Sequence, residues 1–292
     1  MSKKALPYQS WQRTLYGHLA LARISNSPTV VSDTLAGAAL TGTLSFNGTI
    51  VMVAVAMVLF YTAGMYLNDL LDYEIDSRER PERPLPSGAV SRPMATAGVI
   101  ILFGCGSLLL WNVGMRPFLS GLVLIALIIG YDYWHKSNPL SPLLMALCRG
   151  MVYVTAFLSF PTTSPFNWFF PVCLLILYIS GLTYIAKIEN RVSVVSVALL
   201  AILFLPAAYF VALPTLFSFA LAVLFTAWVG YSVSFTYRAQ KQQVGRTVGQ
   251  LIAGIALLDA LVIATSRSLP GVVLALVAFG LTIYLQRYVK GT

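Results

Sequence analysis

Residues 49–76 read TIVMVAVAMVLFYTAGMYLNDLLDYEID. From Thr49 to Leu67 no side chain is charged, and a helix needs about 20 apolar residues to cross a bilayer. The run ends in Asn68, Asp69, Asp72 and Asp76. At about 100° per residue these four fall within a sector of about 100° if the helix continues. A spanning helix therefore delivers four oxygen-bearing side chains to one place at the membrane edge. Three like charges on one face repel unless a cation sits among them, and hard oxygen donors suit Mg²⁺, which usually bridges carboxylates to a phosphate.

The rest of the chain agrees with a lipid solvent. Of 292 residues, 58% are hydrophobic and 10% charged, against about 25% charged in a soluble domain. Ten stretches are long and apolar enough to span, at about 27–44, 49–71, 94–112, 117–134, 139–160, 167–188, 193–212, 215–236, 246–265 and 269–288. The first is interrupted by Asp33. The expected fold is an all-α polytopic bundle of nine to ten transmembrane helices, a single integral membrane domain over 1–292. Residues 1–24 carry Lys3, Lys4, Trp11 and Arg13 without an apolar secretory core and read as an interfacial segment.

Lysine and arginine test this segmentation. With the N-terminus inside, 16 of the 19 basic residues fall on the inner side, Arg116 and Arg267 on the outer, and Arg149 within a helix. That asymmetry is the positive-inside pattern and predicts a multi-pass protein with a cytoplasmic N-terminus. The net charge of +9 then reflects topology and attraction to anionic headgroups, and no nucleic-acid motif accompanies it. Cys105, Cys148 and Cys173 lie in apolar runs without metal-ligand spacing.

Residues 72–93 form the one long connection, cytoplasmic on this topology and expected to be an active-site loop. Six of the ten acidic residues lie between Asp69 and Glu82, a concentration that solubility does not explain. Arg78, Arg80 and Arg83 follow, stiffened by Pro81, Pro84 and Pro86. Arginine forks suit diphosphate oxygens; the plainer alternative for Arg78 and Arg80 is anchoring at the membrane surface.

The pattern Asn68-Asp69-x-x-Asp72-x-x-x-Asp76, followed by Arg83-Pro-Leu-Pro-Ser-Gly88, resembles the first aspartate-rich motif of UbiA-type intramembrane prenyltransferases. The stretch Arg23-Ile-Ser-Asn26-Ser-Pro28 resembles the segment before the family's first helix, where an Asn lies near the active site. The resemblance implies a bundle around a lipid-accessible cavity. It implies Mg²⁺ held by aspartate-rich cytoplasmic loops, a polyprenyl diphosphate donor, and an acceptor that attacks the allylic carbon. On that basis Asp69, Asp72 and Asp76 are the expected catalytic residues, with Asn68 and Glu189 completing the metal set. The family's second motif departs here. Residues 181–191 read GLTYIAKIENR, with Glu189 as the only carboxylate. Tyr184, Lys187 and Arg191 share a helical face there, so Lys187 and Arg191 are expected either to hold diphosphate in place of a second metal or to be ordinary anchors.

Several cavity expectations complete the reading. Tyr131 and Lys136 resemble the family's Tyr followed by a basic residue, with the register open because His135 takes the usual spacing. Asp132 is either an acceptor-side base or a partner for Lys136. Arg149 and Asp259 are costly in lipid and should face the interior, pairing with each other or lining the cavity. Diphosphate contacts are thus expected from Arg78, Arg83, Lys136, Lys187 and Arg191, and cavity walls from Asn26, Tyr131, Asp132, Arg149 and Tyr184. The acceptor stays open among an aromatic ring, a tetrapyrrole, a sugar or cyclitol, and an alkyl alcohol. A non-catalytic carrier of an isoprenoid or polar lipid on the same scaffold is the alternative, motivated by the altered second motif and the tenth helix, since the family typically shows nine.

Overall fold

The computed structural model describes residues 7–42, 44–134, 138–188, 197–212, 215–235 and 242–289. These residues form twelve α-helices and no strands. Helix α1 (Pro7–Leu21) leads through a short 3₁₀ turn to α2 (Ser27–Ala39). Then come α3 (Gly48–Leu71), α4 (Tyr73–Glu79), α5 (Arg92–Val113), α6 (Met115–Trp134), α7 (Ser141–Leu158) and α8 (Phe169–Ile188). The chain closes with α9 (Val197–Phe204), α10 (Leu216–Ser234), α11 (Gln242–Ala264) and α12 (Leu269–Leu285). Among the described residues, seven of these are long and apolar enough to cross a membrane and α12 is a shorter apolar helix; the stretches expected at 27–44 and 193–212 fall on α2, with 13 residues, and on α9, with 8, each too short to span by itself. The protein is an all-helical membrane bundle.

Local chemistry sets the helix starts. Asn47 caps α3 by accepting from the Ile50 amide at 3.2 Å, and Thr215 caps α10 through Ser218 at 3.1 Å. Ser91 and Ser268 cap α5 and α12, each with a proline in the first turn. Gly114, at φ 153°, lets α5 reverse directly into α6.

Apolar packing divides into two large clusters. Val53, Met57 and Phe60 of α3 meet Leu110 and Leu124 in one. Tyr178, Phe225, Leu251 and Leu258 fill the other. Helix α11 is 83% buried whereas α5 is 22% buried, so α11 is central and α5 faces lipid. Helices α2 and α7 cross closely at Gly37, where a Cβ would lie 2.4 Å from the Tyr153 carbonyl oxygen. A third, smaller cluster of Leu21, Tyr66, Leu85, Val90 and Ala95 ties α1 and the loop after α4 to the acidic end of α3. Arg13 donates to the Ser87 carbonyl at 2.7 Å, and His18 shares a 2.8 Å hydrogen bond with Tyr66. This end of the bundle is therefore a built platform rather than frayed helix ends.

Candidate functional site: an arginine-lined cleft above a buried cavity

The α3 backbone ladder continues through the motif. Asp72 accepts the α3 cap role at φ −87° and ψ −2°, its amide bonds Asn68 O at 2.9 Å, and Asp76 N bonds Asp72 O at 2.9 Å. The near-continuity keeps Asn68, Asp69 and Asp76 together and buried, with Asp72 partly exposed. Arg83 returns from the proline loop, placing Nη1 2.6 Å from Asp76 Oδ2 and 3.6 Å from Asp69 Oδ1. Arg23 reaches the same cluster from the turn before α2, at 3.4 Å from Asp69 Oδ1 and 3.3 Å from Asn68 Oδ1. The Asn68 Nδ2 donates to Asp132 Oδ1 at 3.2 Å, joining α3 to the last turn of α6.

Two spaces flank this cluster, one lined by Asp69 and the other by Asp132. On the outside lies a cleft of about 960 Å³ whose lining includes Arg13, Arg23, Arg80, Arg83, Arg287 and Asp69. Toward the bundle interior lies a cavity of about 60 Å³. Its lining includes Tyr61, Gly64, Tyr131, Asp132, Cys148 and Arg149, and its remaining walls are apolar. Asn26, buried behind it, lies within hydrogen-bonding reach of Tyr61 and accepts from Gln286 at 3.2 Å.

Arg149 enters the cavity from a polar network inside the bundle. Its Nη1 forms an ion pair with Asp33 and its Nη2 donates to Thr29 at 2.9 Å. Its guanidinium carbon sits 5.7 Å from the Tyr61 ring centroid. Asp259 accepts from Ser32 and from Tyr153 at 2.5 Å. The ion-pair partner of Arg149 is therefore Asp33, not Asp259. The polar residue that weakens α2 as a spanning segment is there because α7 brings a cation to it.

Three expected site residues need comment. Arg78 is exposed and lines neither space, because it lies two residues from buried Asp76 and so points to the opposite side of α4; Arg80 lines the cleft instead. Tyr184 is 51% exposed and also lines neither space. The inward face of α8 carries Tyr178, Leu182 and Ile185, and its contribution to the cleft is Ala186. The side chain of Lys187, and Lys136, Glu189 and Arg191 altogether, lie outside the described residues. Conversely, Arg13, Arg23 and Arg287 line the cleft without having been singled out. Their partners are distant in sequence, and only their place among the basic residues of one end marked them.

Mg²⁺ fits the donor set under one condition. Among the described residues no group of three or more His, Cys, Asp or Glu closes tightly enough to hold a metal alone. The carboxylates are held instead by arginine, a cation lying between Asp69 and Asp76 where oxygen donors already converge. Mg²⁺ commonly takes only one or two carboxylates and completes its shell with substrate phosphate and water. An all-oxygen cluster at the rim of an arginine-lined cleft matches that need.

The bundle, with its aspartate-rich helix end, defines a class of intramembrane protein that other proteins share. The family model described as the UbiA prenyltransferase family matches residues 30–193, and the chain belongs to that family. Among curated relatives, the digeranylgeranylglyceryl phosphate synthase of Methanothermobacter thermautotrophicus is 36% identical over 123 residues, 40% of this chain and 41% of the relative. The synthase of the same name from Thermococcus kodakarensis is 38% identical over 92 residues, 32% of each chain. The chain thus matches less than half the length of these relatives. Among solved structures, a UbiA homologue from Aeropyrum pernix K1 superposes with a TM-score of 0.67 at 20% identity, covering 82% of this chain and 97% of that one. A homologue from Archaeoglobus fulgidus bound to GPP and Mg²⁺ superposes at 0.64 and 13% identity, covering 88% and 99%. At these identities the likeness shows the fold.

Proposed function

We propose that the chain is an intramembrane prenyltransferase that moves a polyprenyl group from an isoprenoid diphosphate to an acceptor, with Mg²⁺-assisted departure of diphosphate. The observation that carries this reading is Arg83 between Asp69 and Asp76 in a cationic cleft, linked through Asn68 and its hydrogen bond to Asp132 with a mostly apolar cavity. A diphosphate belongs in the first and a hydrocarbon in the second. An allylic C–O bond would break between the two, beside the acidic cluster.

The roles follow from placement. Arg13, Arg23, Arg80, Arg83 and Arg287 line the cleft and hold diphosphate oxygens, the guanidinium forks offering paired donors. Lys136, Lys187 and Arg191 are assigned the same role on sequence grounds. Asp69, Asp72 and Asp76 would hold Mg²⁺, with the Asn68 oxygen and Glu189 as further donors; the metal supplies Lewis-acid stabilisation of the charge developing on the leaving group. Tyr61 and Tyr131 line the cavity, where aromatic faces stabilise an allylic cation. Asn68 orients Asp132 through its 3.2 Å hydrogen bond. The protein lies in the membrane as one domain over residues 1–292. The cleft faces the cytoplasm, a placement supported by the distribution of lysine and arginine, and residues 1–24 lie along the interface.

The test follows diphosphate release from dimethylallyl, geranyl, farnesyl and geranylgeranyl diphosphates in detergent, with and without Mg²⁺. Glyceryl phosphate lipids join the acceptor panel because of the relatives' product. Metal-dependent release that disappears in Asp72→Asn is the expected result; folded protein that releases no diphosphate from any donor overturns the reading. The ionisable network of Asp33, Arg149 and Asp259 inside the bundle favours a second reading, a carrier of isoprenoid or polar lipid, since such groups often mark transport paths. A carrier moves labelled donor across a vesicle without consuming it.

A further inference from the structure

The polar network inside the bundle is one hydrogen short. Asp33 on α2 and Asp259 on α11 are both fully buried. Asp33 gives one carboxylate oxygen to the Arg149 guanidinium. Its other oxygen, Oδ1, is buried and meets no hydrogen-bond donor among the described residues, although the Asp259 carboxyl stands within hydrogen-bonding reach. Two ionised carboxylates offer each other only lone pairs. That contact is satisfied only with a hydrogen between them.

Ser32 shows the same shortage. Its hydroxyl oxygen lies 3.0 Å from the Thr29 carbonyl oxygen and also contacts Asp259 Oδ2. A serine carries one hydroxyl hydrogen, and both of these neighbours are acceptors. Tyr153 directs its own hydrogen to Asp259 Oδ1 at 2.5 Å and has none to spare. Charge gives the same count. The titratable and charged groups around the pair are Arg149 and Tyr153 from α7, Tyr61 from α3, and Tyr209 beyond Tyr153. Helices α10 and α12 carry no charged residue. Arg149 is the one cation among these groups, so one negative charge is left over if both carboxyls ionise. An uncompensated charge in a lipid-enclosed core is strongly unfavourable.

We propose that Asp259 is a proton-binding site: at neutral pH it carries one proton, offered to Asp33 and Ser32, and this proton latches α11 onto α2. The proton resides on Asp259 because Arg149 already pairs with Asp33 and keeps that carboxylate ionised. With Asp259 as a donor, Asp33 Oδ1 gains a hydrogen, and Ser32 is free to give its own to the Thr29 carbonyl. Loss of the proton sets two carboxylates against one cation and pushes α2 from α11. The latch therefore opens as the pH rises. The unfolded chain gives up this proton above the ordinary aspartate range, near about pH 4, whereas the folded chain keeps it. Folding thus takes up one proton, and the folding equilibrium weakens by about tenfold per pH unit on this account. The site stands whether the protein transfers its isoprenoid or carries it.

Infrared difference spectra of the full chain in detergent at neutral pH test this directly. The signal is the carbonyl stretch of a protonated carboxyl, a band that a carboxylate lacks. It should be lost in Asp259→Asn. It should move to higher frequency in Tyr153→Phe, which removes a hydrogen bond from Asp259 Oδ1. Either variant suffices if the other does not fold. Thermal unfolding against pH is the second readout. The unaltered protein should weaken by about tenfold per pH unit relative to Asp259→Asn, in which a neutral amide stands in for the protonated carboxyl. A spectrum without the band, a band that neither variant alters, or the same pH dependence in both proteins overturns the proposal. A missing band together with a melting temperature that rises with Na⁺ overturns it in favour of a sodium ion between the carboxylates.

Discussion

Arg83 Nη1 lies 2.6 Å from Asp76 Oδ2, a contact made across seven residues by a loop that folds back on its own helix. The same nitrogen stands 3.6 Å from Asp69, so one guanidinium spans two carboxylates of the motif. Arg83→Ala should therefore loosen the acidic cluster and remove a diphosphate contact together. Loss of one preorganised charge-stabilising donor typically costs about 10²–10³ in turnover. Diphosphate release should fall by about that factor, and Arg83→Lys, a point charge without the fork, should recover only part of it.

Asp76→Asn leaves the hydrogen-bonding shape nearly intact while removing one negative charge next to Arg83. The Mg²⁺ concentration needed for half-maximal release should rise by roughly tenfold, as expected when a hard cation loses one of its few carboxylates. A metal titration of release reads this directly. An unchanged requirement would mean that Asp76 serves Arg83 alone.

Arg149→Ala should be poorly tolerated for a reason separate from catalysis. It leaves Asp33 buried without its cation, a change worth about 3–5 kcal/mol. Replacing both partners, Asp33→Leu with Arg149→Met, should cost far less, because the apolar pair leaves no stranded charge. Thermal unfolding of the three proteins in one detergent tests the difference, and equal losses in single and double variants would remove the ion pair from the account.

Gly37→Ala places a methyl group 2.4 Å from the Tyr153 carbonyl oxygen, against backbone that cannot swing away. Helices α2 and α7 must then separate, at a cost of about 1–3 kcal/mol. The same shift would move Asp33 and Arg149 apart, so thermal unfolding should show a reduced melting temperature, and an unchanged one would mean that the two helices can separate freely.

Lys187→Ala tests the substitute for the second aspartate-rich motif. If Lys187 and Arg191 hold diphosphate in place of a metal, the apparent dissociation constant for geranyl diphosphate should rise about tenfold or more, in line with loss of a charged hydrogen bond worth about 1.5–3 kcal/mol. An unchanged constant would return both residues to the role of membrane anchors.

The sequence showed some of this plainly and concealed the rest for physical reasons. Every spanning segment was visible because lipid demands continuous apolar runs, and the acidic end of α3 stood out because acids are scarce elsewhere. Asp33 was visible only as an interruption of a weak helix. Its partner lies 116 residues away, and no local pattern links the two. Arg23 was hidden similarly: its side chain reaches Asn68 and Asp69 because its backbone is left-handed, at φ 43° and ψ 49°, a conformation that an arginine does not announce. Arg78 and Tyr184, expected from the loop sequence and from a shared helical face with Lys187 and Arg191, line neither the cleft nor the cavity, because which face of α4 and of α8 turns inward is set by packing and not by local spacing.

The separation of Asp33 from Arg149 and Asp259 also bears on how the protein is made. A ribosome releases α2 into the translocon long before α7 or α11 exists. Until then Asp33 enters the membrane alone, a step that insertion scales put at about 2.5–3.5 kcal/mol for an aspartate at the helix centre. Helix α2 must therefore wait at the edge of the translocon, or sit shallowly, until α7 arrives with Arg149 to neutralise it. Its docking is then a late event, completed only after α7 has been synthesised, and truncated nascent chains ending before α7 should leave α2 accessible to water-soluble thiol reagents at an engineered cysteine.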